Sequence, residues 1–133
     1  MKNFLRTKWK LLSLTILSCL FLSFIGIGLY IGEQVRDTIR SAQTTNPGEP
    51  ISSLLAIATS TEHTISERNS AIWALGQLGS SQALAPLEKL HSGENCDHSS
   101  ELCQYGLEKA IKLCQGELNI GALVWRHGEM ASL

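Results

Sequence analysis

The sequence predicts an all-α protein in which a single transmembrane helix precedes a small helical domain. Residues 11–32 carry no charge and form one apolar run. The second half of the chain is filled with Ala, Leu, Glu, Gln and Lys, and aromatic residues make up only 6% of the whole. This composition favours helices over sheets. Beyond residue 49, apolar side chains recur at helical spacing, which predicts about four helices outside the membrane segment.

The apolar run, residues 11–32, is long enough to cross a membrane. A helix of this length spans about 33 Å, and the hydrocarbon core of a bilayer is about 30 Å thick. Charged residues bound the run on both sides, and Trp9 and Tyr30 lie where interfacial aromatic residues are common. We therefore expect this segment to contact the lipid bilayer. Basic residues are more frequent before the run than after it, which predicts that residues 1–10 are a cytoplasmic leader and that the domain is exported.

A cleaved signal peptide is the main alternative for this segment. Its apolar region would be about 7 to 15 residues long and would end in a site with small residues. Gly26 and Gly28 resemble such a site, but the apolar run continues to Gly32, which favours an uncleaved anchor. A lipoprotein site at Cys19 fits less well, because Leu17 is bulky and the run extends past the cysteine.

Gly28 and Gly32 form a G-x-x-x-G motif at the end of the apolar run. Such a motif lets two membrane helices approach closely, so it suggests a contact between two copies of the chain and hence a homodimer. The alternative is local flexibility where the chain leaves the membrane.

Residues 33–49 are predicted to link the membrane segment to the domain. Val35 and Ile39 are spaced to continue a helix a short way before a polar turn ends it. Pro50 suits the first position of a new helix, which is predicted to cover residues 50–59. An apolar stripe supports this helix: Ile51, Leu54, Leu55 and Ala58.

Two further helices are predicted to follow as an antiparallel pair. Thr64 and Glu67 have the spacing of a capping box, which begins a helix. Gly79 stands where a helix can end in a left-handed conformation, and Ser80 with Ser81 can cap the next helix. The connection is too short for any arrangement other than antiparallel neighbours.

The segment RNSAIWALGQLGSSQALAPLEKL, Arg68 to Leu90, resembles the HEAT-like repeat. It carries the family's pattern of Arg, Ala and Ala-Leu-Gly-x-Leu-Gly, followed by a short turn and Ala-x-x-Pro-Leu-x-x-Leu. The resemblance implies a short α-solenoid fragment over residues 50–115, in which small residues allow close packing and the Arg bonds a neighbouring turn or helix. The residues implied to have structural roles are Arg68, Ala71, Ala74, Leu75, Gly76, Leu78, Gly79, Pro86, Leu87 and Leu90.

A second, weaker copy of the repeat is predicted after a shift of 36 residues. Solenoids usually need three or more units to bury a continuous core, so this array needs further stabilisation. The shift lays Ala71 on Leu107, Ala74 on Ala110, Leu75 on Ile111 and Leu78 on Cys114.

The tail, residues 116–133, is predicted to cap the domain. It contains an apolar patch too large to leave in water without purpose. Contact with a membrane or a partner protein is the alternative, with Trp125 and Arg126 as amphipathic anchors. The patch consists of Leu118, Ile120, Leu123, Val124 and Trp125.

Three cysteines lie in the part predicted to be exported, where oxidising conditions favour disulfides. Cys103 and Cys114 are too far apart along one helix to pair. Cys96 lies in the preceding loop and can reach Cys103, so Cys96–Cys103 is the predicted bridge and Cys96–Cys114 the alternative. A zinc site with Asp97 and His98 matches no common zinc motif. No metal or cofactor is predicted.

Composition and motifs argue against nucleic acid binding and catalysis. The net charge is −1, and no basic cluster lies outside the N-terminus. The four histidines are dispersed without a carboxylate or nucleophile at a suitable spacing. Some HEAT-like proteins are bilin lyases or iron hydroxylases, but the His-Glu pairs of the hydroxylases are missing from this sequence. We therefore expect a protein without enzymatic activity.

The arrangement of anchor, repeat, cysteine loop and tail resembles small membrane-tethered HEAT-repeat proteins of bacteria. This implies a single-pass inner-membrane protein that acts as an interaction adaptor or accessory subunit on the extracytoplasmic face. The second helices of the pairs and the loop Glu94–Glu101 are the expected contact surface for an unknown protein partner. The alternatives are a HEAT-like lyase or metal-dependent enzyme, and a self-associating envelope protein.

Overall fold

The computed structural model describes residues 2–93 and 102–126, with side chains from Lys8 onward. This part of the chain forms six α-helices and no strand, which confirms the predicted all-α class with a long apolar N-terminal helix. A 3-10 turn, Ser81–Ala83, precedes the fourth helix. The helices are α1 Lys2–Thr45, α2 Pro50–Thr59, α3 Ile65–Leu78, α4 Leu84–Leu90, α5 Gln104–Cys114 and α6 Ala122–Trp125.

Helix α1 is long and apolar enough to cross a membrane, with a mean hydropathy of 2.3 in its most apolar stretch. Its 44 residues correspond to about 66 Å, roughly twice the thickness of a hydrocarbon core. The side chains of the apolar stretch are largely exposed, as expected of a helix that does not pack into a soluble core over this length.

The C-terminal part of α1 belongs to the domain. The sequence predicted a linker over residues 33–49, but the helix continues to Thr45 and buries Val35, Ile39 and Ala42 completely or nearly so. These three residues are four and three positions apart, so they share one face of the helix. The opposite face is charged and carries ion pairs between Glu33 and Arg36, Glu33 and Arg40, and Asp37 and Arg40.

Helix α3 lies at the centre of the domain. Its main packing neighbours are α5 and α2, while α4 packs on α5 and α2, and α6 returns to α1. The core therefore contains side chains from all six helices. Its largest fully buried members are Leu54, Ile72, Leu75, Leu87, Leu107 and Val35.

The local signals read from the sequence have the predicted effects, except that Ser80 and Ser81 do not cap α4. Helix α2 begins at Pro50 and ends at Thr59. Thr64 and Glu67 form both bonds of a capping box at the start of α3, and Gly79 ends that helix with φ of 62°. The hydroxyl of Ser80 accepts a bond from the Gln82 amide and caps the 3-10 turn rather than α4 itself.

The predicted internal repeat is visible in the burial pattern. Leu107, Ala110, Ile111 and Cys114, which the 36-residue shift aligns with α3, are all buried. The same shift applied towards the N-terminus lays Val35 on Ala71 and Ile39 on Leu75, and these pairs are also buried. Three alternate helices, α1, α3 and α5, thus share one apolar spacing.

Candidate interaction surfaces

Helix α6 packs directly on the glycines of the G-x-x-x-G motif. A Cβ atom added to Gly28 would lie 2.7 Å from Val124 Cβ, and one added to Gly32 would lie 2.7 Å from Trp125 Cβ. No side chain fits at that separation, so both positions need glycine for this contact. The motif predicted to join two copies of the chain is occupied in this structure by the chain's own C-terminal helix.

Polar contacts hold α6 against the end of α3. Arg126 donates from Nε to the Gln77 carbonyl oxygen over 3.0 Å, and its Nη2 donates to the same oxygen. The Asn119 amide donates to the Gln77 side-chain oxygen over 2.9 Å. Burial lowers the pKa of Arg126, but a guanidinium remains charged in proteins. The tail is thus tied to α3 as well as to α1.

The outer side of the tail is apolar. Leu118, Ile120 and Leu123 have 74%, 55% and 51% of their surface exposed, respectively. These three residues, called the tail patch below, lie opposite the buried side chains Ala122 and Trp125. The tail therefore has one apolar side packed on the protein and a second apolar side that is more than half exposed.

A groove of about 340 Å³ separates α3 from α5. The two helices approach closely at its floor, where a Cβ atom added to Gly76 would lie 2.7 Å from the Ala110 Cα. Trp73 lines the groove and is 38% exposed. Lys109, also in the lining, places its ammonium 5.1 Å from the ring centre of the exposed Tyr105. We refer to this site as the α3–α5 groove. Its lining consists of Asn69, Ile72, Trp73, Gly76, Gln77, Cys103, Gly106, Lys109, Ala110 and Leu113.

The residues of the repeat motif pack in the domain or form hydrogen bonds between its helices. Arg68 donates from Nε to the Ala58 carbonyl oxygen at the end of α2 over 3.1 Å, as the resemblance implied. The neighbouring Asn69 accepts a bond of 3.0 Å from the Cys103 amide, a link between α3 and α5 that the sequence did not indicate. Ala71, Ala74, Leu75, Gly76 and Leu87 are buried, and Leu78, Gly79, Pro86 and Leu90 are partly buried.

The predicted disulfides cannot be traced, because Cys96 lies outside the described residues. Within the described chain no disulfide joins Cys103 to Cys114. The Cys103 sulfur accepts a bond from the Gly106 amide and so caps α5. The buried Cys114 thiol donates to the Leu75 carbonyl over 3.6 Å, and burial raises the pKa of this thiol.

No metal-binding cluster occurs among the described residues, since nowhere do three His, Cys, Asp or Glu side chains converge. His63 lies 3.8 Å from Glu67, at the start of α3. Hydrogen bonds from Thr64 lower the pKa of the Glu67 carboxyl, and nearby His63 adds to this effect. This arrangement is a helix cap. The loop Glu94–Glu101, which includes Asp97 and His98, lies outside the described residues.

Comparison with known proteins identifies one repeat. A family model described as PBS lyase HEAT-like repeat matches residues 67–90, which comprise most of α3, the 3-10 turn and α4. No curated protein and no solved structure matches the chain. The HEAT-like repeat region read from Arg68 to Leu90 is therefore confirmed. A repeat of this kind suggests protein interaction.

Proposed function

We propose that this protein is a membrane-tethered adaptor that binds a partner protein through the α3–α5 groove. The observation that carries the proposal is the exposed Trp73 in the lining of the groove. The exposed Tyr105 lies outside the lining, and its ring is 5.1 Å from the ammonium of the lining residue Lys109. Aromatic side chains supply most of the binding energy in many protein interfaces. The proposed role is binding without catalysis.

The chemistry of the groove favours a particular partner segment. Its walls are mainly apolar, and Lys109 is the one charged side chain in the described lining. We expect the bound segment to place an apolar side chain against Trp73 and a carboxylate near Lys109, where the charges complement each other.

The proposed location is the extracytoplasmic side of a bacterial inner membrane, with the N-terminus in the cytoplasm. The excess of Lys and Arg before the apolar run supports this orientation. A tether of this kind raises the effective concentration of the domain near other membrane proteins, so a groove with modest intrinsic affinity is sufficient. Protease added to spheroplasts should digest the domain, and a domain protected until the membrane is lysed would contradict the orientation.

Photocrosslinking in native membranes tests the adaptor role. A photoreactive amino acid replaces Tyr105 in one version of the full chain and the exposed Lys89 of α4 in the control version. We expect a defined partner protein to crosslink at Tyr105 and not at Lys89. The crosslink should weaken in the Trp73→Ala and Lys109→Glu backgrounds, and the matched Lys89→Glu background should leave it unchanged.

Two results would contradict this proposal. A crosslink at Tyr105 that is insensitive to both Trp73→Ala and Lys109→Glu would show that the groove does not carry the binding. Crosslinks to a second copy of the chain alone would favour the self-associating envelope protein.

A further inference from the structure

Helix α6 contacts α1 inside the apolar run rather than beyond it. Val124 lies against Gly28 and Trp125 against Gly32, and Gly32 is the last residue before the charges begin. Gly28 precedes it by four residues, which corresponds to about 6 Å along the helix axis. A segment that contacts Gly28 therefore lies at the level where the hydrocarbon core gives way to the headgroups.

The segment at this level has no charge. Residues 118–125 read LNIGALVW, and the tail patch exposes more than half of the surface of each of its three side chains. Arg126 is the charged residue that directly follows this segment. Its guanidinium donates a hydrogen bond to the Gln77 carbonyl and therefore points towards the protein. This distribution of charge suits a segment at the boundary of a bilayer.

The turn of α1 that α6 contacts carries an exposed surface of the same apolar character as the tail patch. Ile27, Leu29 and Tyr30 of α1 are 61%, 53% and 66% exposed, and they belong to the turn of α1 that α6 contacts. The side chain of Ile31, on the same turn, is near Gly121. The apolar surface of α1 thus continues onto the tail at one depth.

We propose that residues 118–125 form a second membrane contact, in which Leu118, Ile120 and Leu123 insert into the leaflet on the domain side. This inference rests on the proposed anchoring of α1. The bilayer is the occupant that fits, because the tail patch continues the lipid-facing surface of α1 at the same level. Apolar faces of interfacial segments are typically buried about 5–10 Å into the boundary of the headgroups and acyl chains, which includes the depth of about 6 Å derived from the helix rise.

Such a contact would fix the depth of α1 in the membrane. The glycines hold α6 against the helix, and the tail patch holds α6 in the interface. The domain then stands at one height above the bilayer, and α1 is prevented from sliding along its axis.

Photocrosslinking to lipid tests the proposal with the full chain. A photoreactive amino acid is placed at Leu123 in one variant, at Leu20 in a second and at the exposed Ala85 of α4 in a third. Each protein is reconstituted in vesicles of phosphatidylcholine and phosphatidylglycerol, and lipid adducts are measured by mass spectrometry. We expect Leu123 to form lipid adducts in amounts similar to Leu20, and Ala85 to give only background. A variant labelled at Ile120 repeats the measurement at a second position of the tail patch.

The labelled positions distinguish failure of the tail contact from failure of the α1 anchor. Adducts at Leu20 together with background levels at both Leu123 and Ile120 would overturn the tail contact and leave the anchor intact. Background levels at Leu20 would overturn the anchor and the tail contact with it. Adducts of Leu123 with a second copy of the chain, in place of lipid, would show that the tail patch is a protein interface.

Discussion

The α3–α5 contact and the α1–α6 contact both depend on glycine for close helix packing, but they lie in different surroundings. In each, a glycine allows a neighbouring helix to approach so closely that a Cβ atom would lie 2.7 Å from its atoms. At Gly76 the opposing atom is the Ala110 backbone, whereas at Gly28 and Gly32 the opposing atoms belong to the side chains of Val124 and Trp125. A Cβ atom is fixed by its backbone and does not move when the rotamer changes, so in both contacts a larger residue requires a shift of the neighbouring helix. That helix is α5 with 11 residues in the first contact and α6 with 4 residues in the second. The first contact is therefore less tolerant of change than the second.

The two contacts also differ in what surrounds them. The α3–α5 contact joins a helix of the HEAT-like repeat to α5 and includes the bond from the Cys103 amide to Asn69. The α1–α6 contact joins the domain to the apolar helix and is bordered by the exposed tail patch. Close packing thus joins two helices of the domain in one place and joins the domain to the apolar helix in the other.

The largest expected effect tests the rigidity of the first contact. Gly76→Ala should destabilise the domain by about 1–3 kcal/mol, because the added methyl group must push α5 away. Urea unfolding of the full protein in detergent, followed by circular dichroism, measures the change.

Gly106→Ala is the matched control for Gly76→Ala. A Cβ atom at Gly106 would meet the Cys103 sulfur at an ordinary distance of 3.5 Å, and alanine has a higher helix propensity than glycine. Stability should be unchanged or slightly higher. Equal losses from the two substitutions would mean that the close approach at Ala110 is not what makes glycine necessary.

The second prediction concerns the attachment of α6. Gly32→Leu should displace Trp125 and release the tail, while α2 to α5 stay folded. Trypsin should then cleave after Arg126 faster than in the unchanged protein, because the bonds of Arg126 to Gln77 are lost with the packing. Mass spectrometry of the digest measures the rate of cleavage.

Gly26→Leu provides the control for this release, since a Cβ atom at Gly26 meets nothing within 4 Å. The same increase in cleavage at Arg126 for both variants would show that α6 does not depend on the glycine face of α1.

A smaller effect is expected from a change that touches neither contact. Thr64→Ala removes one half of the capping box and should cost about 1 kcal/mol, without exposing Arg126 to trypsin. Ser70→Ala, which removes another exposed hydroxyl from α3, should cost less.

The pH dependence of stability in the Thr64→Ala variant tests whether the capping box stabilises the ionised Glu67 carboxyl. The pKa of Glu67 is lowered in the folded protein, so its contribution to stability is present above the unfolded pKa of about 4.3 and is lost as pH falls through the folded value. Thr64→Ala should reduce this acid-dependent loss. An unaltered acid profile would contradict the assignment to the capping box.

The smallest effect concerns the thiol within the α3–α5 contact. Burial raises the pKa of Cys114, so the unfolded chain releases this proton at a lower pH than the folded protein does. Stability should therefore decrease as pH rises above about 8.5, the usual pKa of a free thiol. Cys114→Ala should show a flatter alkaline profile in thermal unfolding, and a profile as steep as before would exclude this thiol as the cause.

Much of the domain could be predicted from the sequence because its signals are local. The bounds of α2 follow from Pro50 and one apolar stripe, and the start and end of α3 follow from the Thr64–Glu67 pair and Gly79. Each of these residues acts on the backbone within a few positions of itself. The repeat motif implied that Arg68 bonds a neighbouring turn or helix, and its partner is the Ala58 carbonyl of α2.

The contacts that the sequence did not predict join distant positions. Glycine has no side chain to contribute to an apolar pattern, so Gly28 and Gly32 gave no sign that Val124 and Trp125 would cover them. The charges from Glu33 to Arg40 made that segment read as a polar linker, although Val35, Ile39 and Ala42 already had helical spacing. Applying the 36-residue shift towards the N-terminus would have aligned Val35 with Ala71 and Ile39 with Leu75.

If α1 spans a bilayer, the continuity of this helix determines how the domain can move relative to its apolar stretch. A flexible stalk of residues 33–49 would let the domain sample a radius of about 20 Å. Instead, α1 runs unbroken from the apolar stretch to Thr45, and one face of its last turns is buried in the core of the domain. The helix and the domain therefore move as one rigid body. Tilting or rotating α1 in the bilayer must swing the whole domain through the same angle, so the direction in which Trp73 faces would be set by the orientation of the membrane helix.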